Sequence, residues 1–232
     1  TTHLDFTGLK VMARTMTDFP FAIVGFDLDG TLLDSSYELA ASLNHALASI
    51  GRPPIATNGV KALVGMGTRH MLKLGLEQSG GADDETVHAL HPVLVDHYRA
   101  NLGSNCPPFP GLEAALDQLA ATGAKLAVVT NKEGRYTDTV LRAHQFDKRF
   151  DLVISGDTLA TKKPDPAGIA HCLAHCAVTA EHALFVGDSS IDAATARNAG
   201  VPVWLLPYGY NMGQAIEACG PDRVIPDMRA LL

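Results

Sequence analysis

The chain has 232 residues, 47% hydrophobic and 19% charged, with a formal net charge of −7; it is long enough to bury a core without disulfide staples, and its composition is that of an ordinary globular protein. It has no Lys/Arg-rich run to bind nucleic acid and no stretch of about 18 apolar residues to span a membrane. The first residues, with Asp5, Lys10, Arg14 and Asp18 among them, lack the apolar block of a signal peptide, and Cys106, Cys172, Cys176 and Cys219 form neither a disulfide framework nor a zinc pattern, so they read as reduced thiols of a cytoplasmic protein.

The extension before Phe21 has no functional reading. Phe21–Phe26 is the first of five short apolar runs that predict buried strands. Ser35 and Glu38 predict a capping box, opening a helix whose stripe is Leu39, Leu43, Ala46, Leu47 and Ile50 and which Gly51 and Pro53-Pro54 stop. Gly65-Met66-Gly67-Thr68-Arg69 reads either as a mobile loop offering Arg69 to a substrate carboxylate or as a helix start with a solvated arginine. Val87, Leu90, Leu94 and Tyr98 recur at helical spacing, while His88, His91 and His97 share no helix face and read as packing or solvated residues. No strand is predicted between Asp34 and Cys106. Residues 35–106 are therefore expected to be a helical cap domain, inserted after the first strand of a core made of residues 1–34 and 107–232.

Four more strands follow, at Lys125–Thr130, Leu152–Ser155, Ala183–Val186 and Val201–Leu206. Between and before them lie helical patterns: Leu112, Leu116, Leu119 and Ala120 closed by Gly123, a helix begun by Asp165-Pro166, and an Ala-rich segment from Asp192 ended by Gly200. In the second of these, His171, Cys172, His175 and Cys176 mimic a metal pattern. Ile169, Cys172, Leu173 and Cys176 nevertheless make one apolar stripe, and core packing is the expectation. This alternation predicts a doubly wound, mostly parallel α/β sheet.

Four polar clusters sit just beyond predicted strands: Asp27-Leu-Asp29-Gly30-Thr-Leu, Thr130-Asn131, Lys163-Pro-Asp-Pro and Gly187-Asp188-Ser-Ser-Ile-Asp192. The carboxyl ends of parallel strands share one edge, where ligands bind, so clusters far apart in sequence can converge. Carboxylates gathered there repel unless a cation neutralises them, and they are hard ligands suited to magnesium. A lysine and a threonine hydroxyl can hold phosphate, and a carboxylate at a strand end can attack phosphorus. Taken singly, Asp27 and Asp29 could be solvated turn acids, Lys163 an exposed loop lysine beside Lys162, and Asp192 an N-cap as readily as a metal ligand.

In order, these clusters match the four signature motifs of the haloacid dehalogenase superfamily, which the chain resembles over the whole sheet region, with the insertion where that superfamily places its cap. The resemblance implies Mg2+ as cofactor, with Asp27 as nucleophile and metal ligand. It makes Asp29 the general acid and base whose main-chain oxygen faces the metal, Asp188 a further ligand, and Asp192 an additional or outlying one. Lys163 would stabilise charge, and Thr130, Asn131 and Gly30 would bind phosphate. The presence of Asp29 points to phosphate-ester chemistry rather than dehalogenation, since an alkoxide leaving group needs a proton and halide does not. Phe26–Ser35, Thr130-Asn-Lys132 and Tyr208-Gly-Tyr-Asn211 resemble the phosphoglycolate phosphatases, the last stretch being expected to lie outside the chemical centre. The implied activity is hydrolysis of a small phosphorylated metabolite, 2-phosphoglycolate, by a monomer or homodimer without nucleic acid or membrane. The alternatives are a sugar-phosphate phosphatase or phosphomutase on the same scaffold, and a non-catalytic binding or regulatory protein.

Overall fold

Short apolar runs flanked by helices become strands buried on both faces. In the computed structural model, which describes residues 19–231, β1 is Ile23–Phe26, every residue of it buried. All but two residues of the amino-terminal extension lie outside the described residues. After β1 come α1 (Ser36–Ser49), α2 (Thr57–Lys61), α3 (Thr68–Gln78) and α4 (Asp84–Asn101). The chain then alternates: α5 (Leu112–Thr122), β2 (Lys125–Val129), α6 (Gly134–Ala143), β3 (Leu152–Ile154), α7 (Ala167–Cys176), β4 (Ala183–Gly187), α8 (Ser190–Ala199) and β5 (Val203–Leu205). The two-residue β6 (Arg223–Val224), absent from the sequence expectation, completes a parallel sheet of order β3-β2-β1-β4-β5-β6.

That order reverses direction at β1, so the crevice of this doubly wound sheet opens between β1 and β4. Phe26 pairs with Val128 on one side and Val186 on the other. The next residues, Asp27, Val129 and Gly187, therefore emerge level with one another. Alternation along β1 sends Val24 and Phe26 into a layer with Leu112, Leu116 and Leu119, and Ile23 into the opposite layer with Ile169, Cys172 and Ala196. Cys172 is thus a core residue, while His171 and His175 are exposed.

The helices α1 to α4 have an apolar cluster of their own, in which Leu43, Leu47, Leu72, Leu76, Leu94 and Tyr98 are fully or almost fully buried. Tyr136 of α6 joins this cluster from the sheet side. His97 hydrogen-bonds Ser42 and stacks on His45, and His91 pairs with Thr68, so these two pack within the helices. Ile50 lies beyond α1 and is exposed. The expected capping box at its start does not form: Ser35 makes no side-chain cap bond, and Glu38 accepts instead from the Asn105 N–H at 2.8 Å. Asp34 does the capping, accepting from the Ser36 N–H and hydroxyl. The strands entering and leaving this helical segment run side by side, Asp34 N–H donating to Pro107 O at 2.8 Å and Phe109 N–H to Leu32 O at 3.0 Å. No helix among the described residues is long and apolar enough to cross a membrane.

Candidate active site

Asp27 follows β1 directly, its N–H donating to Val186 O at 3.0 Å across to β4. Its carboxylate pairs with Lys163 Nζ at 2.7 Å. The same ammonium pairs with Asp192 at 2.8 Å, and Lys163 is only 5% exposed. Asp192 has no exposed surface. Its other oxygen accepts from the N–H groups of Asp188 and Ser189, both at 3.1 Å, and from the Ser189 hydroxyl at 2.7 Å. Ser189 is the N-cap of α8 and Asp192 its partner in a capping box. One carboxylate thereby caps a helix and holds the site lysine.

Asp188 follows β4. Its oxygens accept from the Thr31 hydroxyl and from the Tyr210 N–H. Close approach of backbone on two sides makes this possible. A Cβ at Gly30, whose φ is +91°, or at Gly209 would collide with the Asp188 carboxylate. Thr130, after β2, accepts from the Lys132 N–H at 3.2 Å, and no acceptor for its own hydroxyl proton is found among the described residues. Asp29, Thr130 and Lys163 share the wall of a cavity of about 470 Å3 with Asp27, Asp188 and Tyr98.

Burial is the largest influence on Asp27 and raises it from 3.8 to about 6, Lys163 pulling it down and Asp192 pushing it up. Burial, then Asp192 and Asp27, hold Asp188 well above the usual carboxylate range. Burial alone would lower Lys163, but Asp192 and Asp27 outweigh it and keep the group a cation. Asp27, Asp188 and Asp192 each offer an oxygen, all within 4.8 Å of one another, against one ammonium. With all three ionised, two negative charges would be left uncompensated. An all-oxygen set with that deficit fits a hard divalent cation.

Not every residue singled out in the sequence is brought to this point. Asp29 lines the same cavity but is not one of the three clustered carboxylates, and both its oxygens lie 3.0 Å from Lys132 Nζ. The Gly30 N–H donates to Leu33 O at 2.9 Å, and the missing Cβ of Gly30 makes room for Asp188. Asn131 uses its amide N–H groups on Lys163 O at 3.1 Å and Gly65 O at 3.4 Å, tying two loops together. Arg69 is exposed and does not line the cavity, although Gly65, Gly67 and Thr68 do.

The stretch Tyr208–Asn211 is corrected in the other direction, because it wraps the chemical centre. The Tyr210 N–H reaches Asp188, and its hydroxyl donates to Asp34 at 2.6 Å and accepts from the Ser36 N–H at 2.9 Å. Tyr208 OH donates to Thr31 O at 3.1 Å, and Asn211 Oδ1 accepts from the Ser190 N–H at 2.8 Å. Its place after the fifth strand, on the same carboxyl edge, was the signal that could have found it. Lys132 was also missed. It stands next to Thr130-Asn131, is almost fully buried, and donates to Asp29 and to Tyr98 OH. Burial alone would lower this lysine too, but Asp29 and Tyr98 outweigh it and raise it.

The family model for haloacid dehalogenase-like hydrolases matches residues 24–206. The chain is 38% identical over 215 residues to a phosphoglycolate phosphatase of Pseudomonas putida, covering 90% of this chain and 78% of that protein. It is 35% identical over 211 residues to one from Nitrosospira multiformis, with 90% and 93% covered. A crystal structure described as a predicted phosphoglycolate phosphatase from Haemophilus somnus superposes with a TM-score of 0.85 at 30% identity, over 91% of this chain and 96% of that one.

Proposed function

The chain belongs to the haloacid dehalogenase-like hydrolases and is a phosphatase, and from that premise we propose that it hydrolyses 2-phosphoglycolate to glycolate and phosphate through transfer of the phosphoryl group to Asp27. The observation that carries the reading is the meeting of Asp27, Lys163 and Asp188 at the crevice where the strand order reverses. Asp27, Asp188 and the main-chain oxygen of Asp29 would hold Mg2+, which when bound supplies charge neutralisation on the phosphoryl oxygens.

The chain's own residues divide the rest. An Asp27 oxygen attacks phosphorus as the ester P–O bond breaks, and Asp29 gives its proton to the departing glycolate oxygen. Asp29 then takes a proton from the water that attacks the aspartyl phosphate at phosphorus, releasing phosphate and restoring both carboxyl groups. Lys163 offsets charge between Asp27 and the phosphoryl oxygens, and the Thr130 hydroxyl donates to one of them. Asp192 fixes Lys163 and would add its negative charge beside the cation. The helical segment reaches the cavity through Leu39, Thr68, Met71 and Tyr98. As a cap it excludes bulk water and chooses the leaving group.

Phosphate release from 2-phosphoglycolate, a neutral alkyl phosphate of similar size and a set of sugar phosphates, each with Mg2+, tests the reading. The highest kcat/KM is expected for 2-phosphoglycolate. Conversion of a hexose 1-phosphate to the 6-phosphate would identify a mutase, and no release from any ester would end the phosphatase reading.

A further inference from the structure

We propose that Lys132 is a positioning residue for Asp29, completed by Tyr98 from the helical segment, so that docking of that segment and seating of the acid–base carboxylate are one event. The proposal rests on the phosphatase reading, in which Asp29 handles the proton.

The main chain of Lys132 is pinned in the loop after β2. Its N–H donates to Thr130 Oγ1, and its carbonyl accepts from the Gly156 N–H at 2.8 Å and the Thr137 hydroxyl at 3.3 Å. The side chain is 5% exposed. An ammonium has three N–H bonds, and here it meets three acceptors: both oxygens of Asp29, each at 3.0 Å, and the Tyr98 hydroxyl. Contact with both oxygens fixes the plane of the carboxylate, whereas a single contact leaves it free to rotate about its last bond. Proton transfer requires that plane to be right, because the donor oxygen must come within hydrogen-bond reach of the ester oxygen.

The third contact comes from elsewhere in the fold. Tyr98 lies on α4 and is 1% exposed. Its ring meets Tyr136 of α6 edge-on, with centroids 5.4 Å apart. If the helical segment swings away, Lys132 loses one of its three acceptors and the buried wall around it. Asp29 then loses its two-point seat. Lys132 also follows Thr130 in the same loop, so the phosphate-facing hydroxyl and the Asp29 seat share one rigid support.

The test compares kcat/KM for 2-phosphoglycolate with that for p-nitrophenyl phosphate, whose leaving group needs no proton. This parameter reports the steps up to the first irreversible transfer, before Asp29 acts as base. Lys132→Met is expected to lower it about 100-fold for phosphoglycolate and less than about fivefold for the nitrophenyl ester. Tyr98→Phe, which removes one oxygen, should lower it about tenfold for phosphoglycolate alone. Should Lys132→Met fail to fold, as a thermal melt would reveal, Tyr98→Phe still decides. In an Asp29→Asn background, Lys132→Met should cause no further loss, because it acts through Asp29. Equal losses on the two esters, multiplied losses in that background, or wild-type behaviour of Tyr98→Phe would overturn the proposal. A wild-type protein that releases phosphate from neither ester would refute the phosphatase reading, and this proposal with it.

Discussion

Replacing Asp27 with Asn should stabilise the metal-free protein at neutral pH while ending turnover. The folded carboxyl is raised from 3.8 to about 6, chiefly by burial, and Lys163 only partly offsets this. Above about pH 6 the group is charged in both the folded and unfolded chain, and the folded state bears the cost. A shift of about two pKa units corresponds to about 3 kcal/mol at 1.36 kcal/mol per unit. The sign follows from proton binding. Between about pH 4 and 6 the folded state holds the proton more tightly than the unfolded one, so this group's contribution to stability falls as pH rises through that window. The neutral amide escapes that loss. For a chain of this size, 3 kcal/mol is worth about 6–12 °C in Tm. The assay is thermal unfolding by circular dichroism in a chelator, with wild type and variant compared near pH 7.5 and near pH 4. The variant should melt higher at the first pH and lose its advantage at the second. Added Mg2+ should narrow or reverse the gap, since the wild-type carboxylate then has a cation to hold. A variant that melts below wild type at neutral pH, or a gap independent of pH, would refute the reasoning.

Asp192→Asn should be destabilising, because an amide must turn its NH2 either towards the Lys163 ammonium or towards the Asp188 and Ser189 N–H groups. Breaking so buried a pair costs about 3–5 kcal/mol, read from urea unfolding, and a loss below about 1 kcal/mol would show that the carboxylate is not what holds Lys163. Gly209→Ala pushes a methyl into the Asp188 carboxylate, and the Mg2+ concentration for half-maximal activity should rise about 10–100-fold; an unchanged titration would place Asp188 outside the cation's reach. Arg69→Ala, at an exposed position off the cavity, should leave KM for 2-phosphoglycolate within about twofold, and a selective rise for that substrate over a neutral ester would restore Arg69 as its carboxylate partner.

The parallel sheet was legible because strands buried on both faces leave unbroken apolar runs, as in Val24–Phe26 and Leu184–Val186, whereas the order of the strands is not written in them. β6 left no such mark, being two residues long with Arg223 exposed. Ser35 is the N-cap of α1 as read, but its capping box does not form, because Glu38 is drawn to the Asn105 N–H and Asp34, held by the Tyr210 hydroxyl and Lys61 from far along the chain, takes the Ser36 N–H. Asp27, Thr130, Lys163 and Asp188 could be found because each stands immediately beyond a strand or its loop. Lys132 and Tyr98 could not be joined by spacing. One follows β2 and the other lies on α4, and only packing through Tyr136 brings them together. Arg69 illustrates the converse: its type suggested a partner for a carboxylate, but the local turn of α3 points its neighbours, not itself, into the cavity.

The chain departs from the sheet and comes back to it at adjacent points, Asp34 and Pro107, bridged by one backbone hydrogen bond. A stretch whose two ends nearly touch can be lengthened, trimmed or exchanged for a different one without disturbing the strand order it interrupts. A different stretch seated between the same two points would still have to present a hydroxyl to Lys132 where Tyr98 now does, and an apolar face to Tyr136.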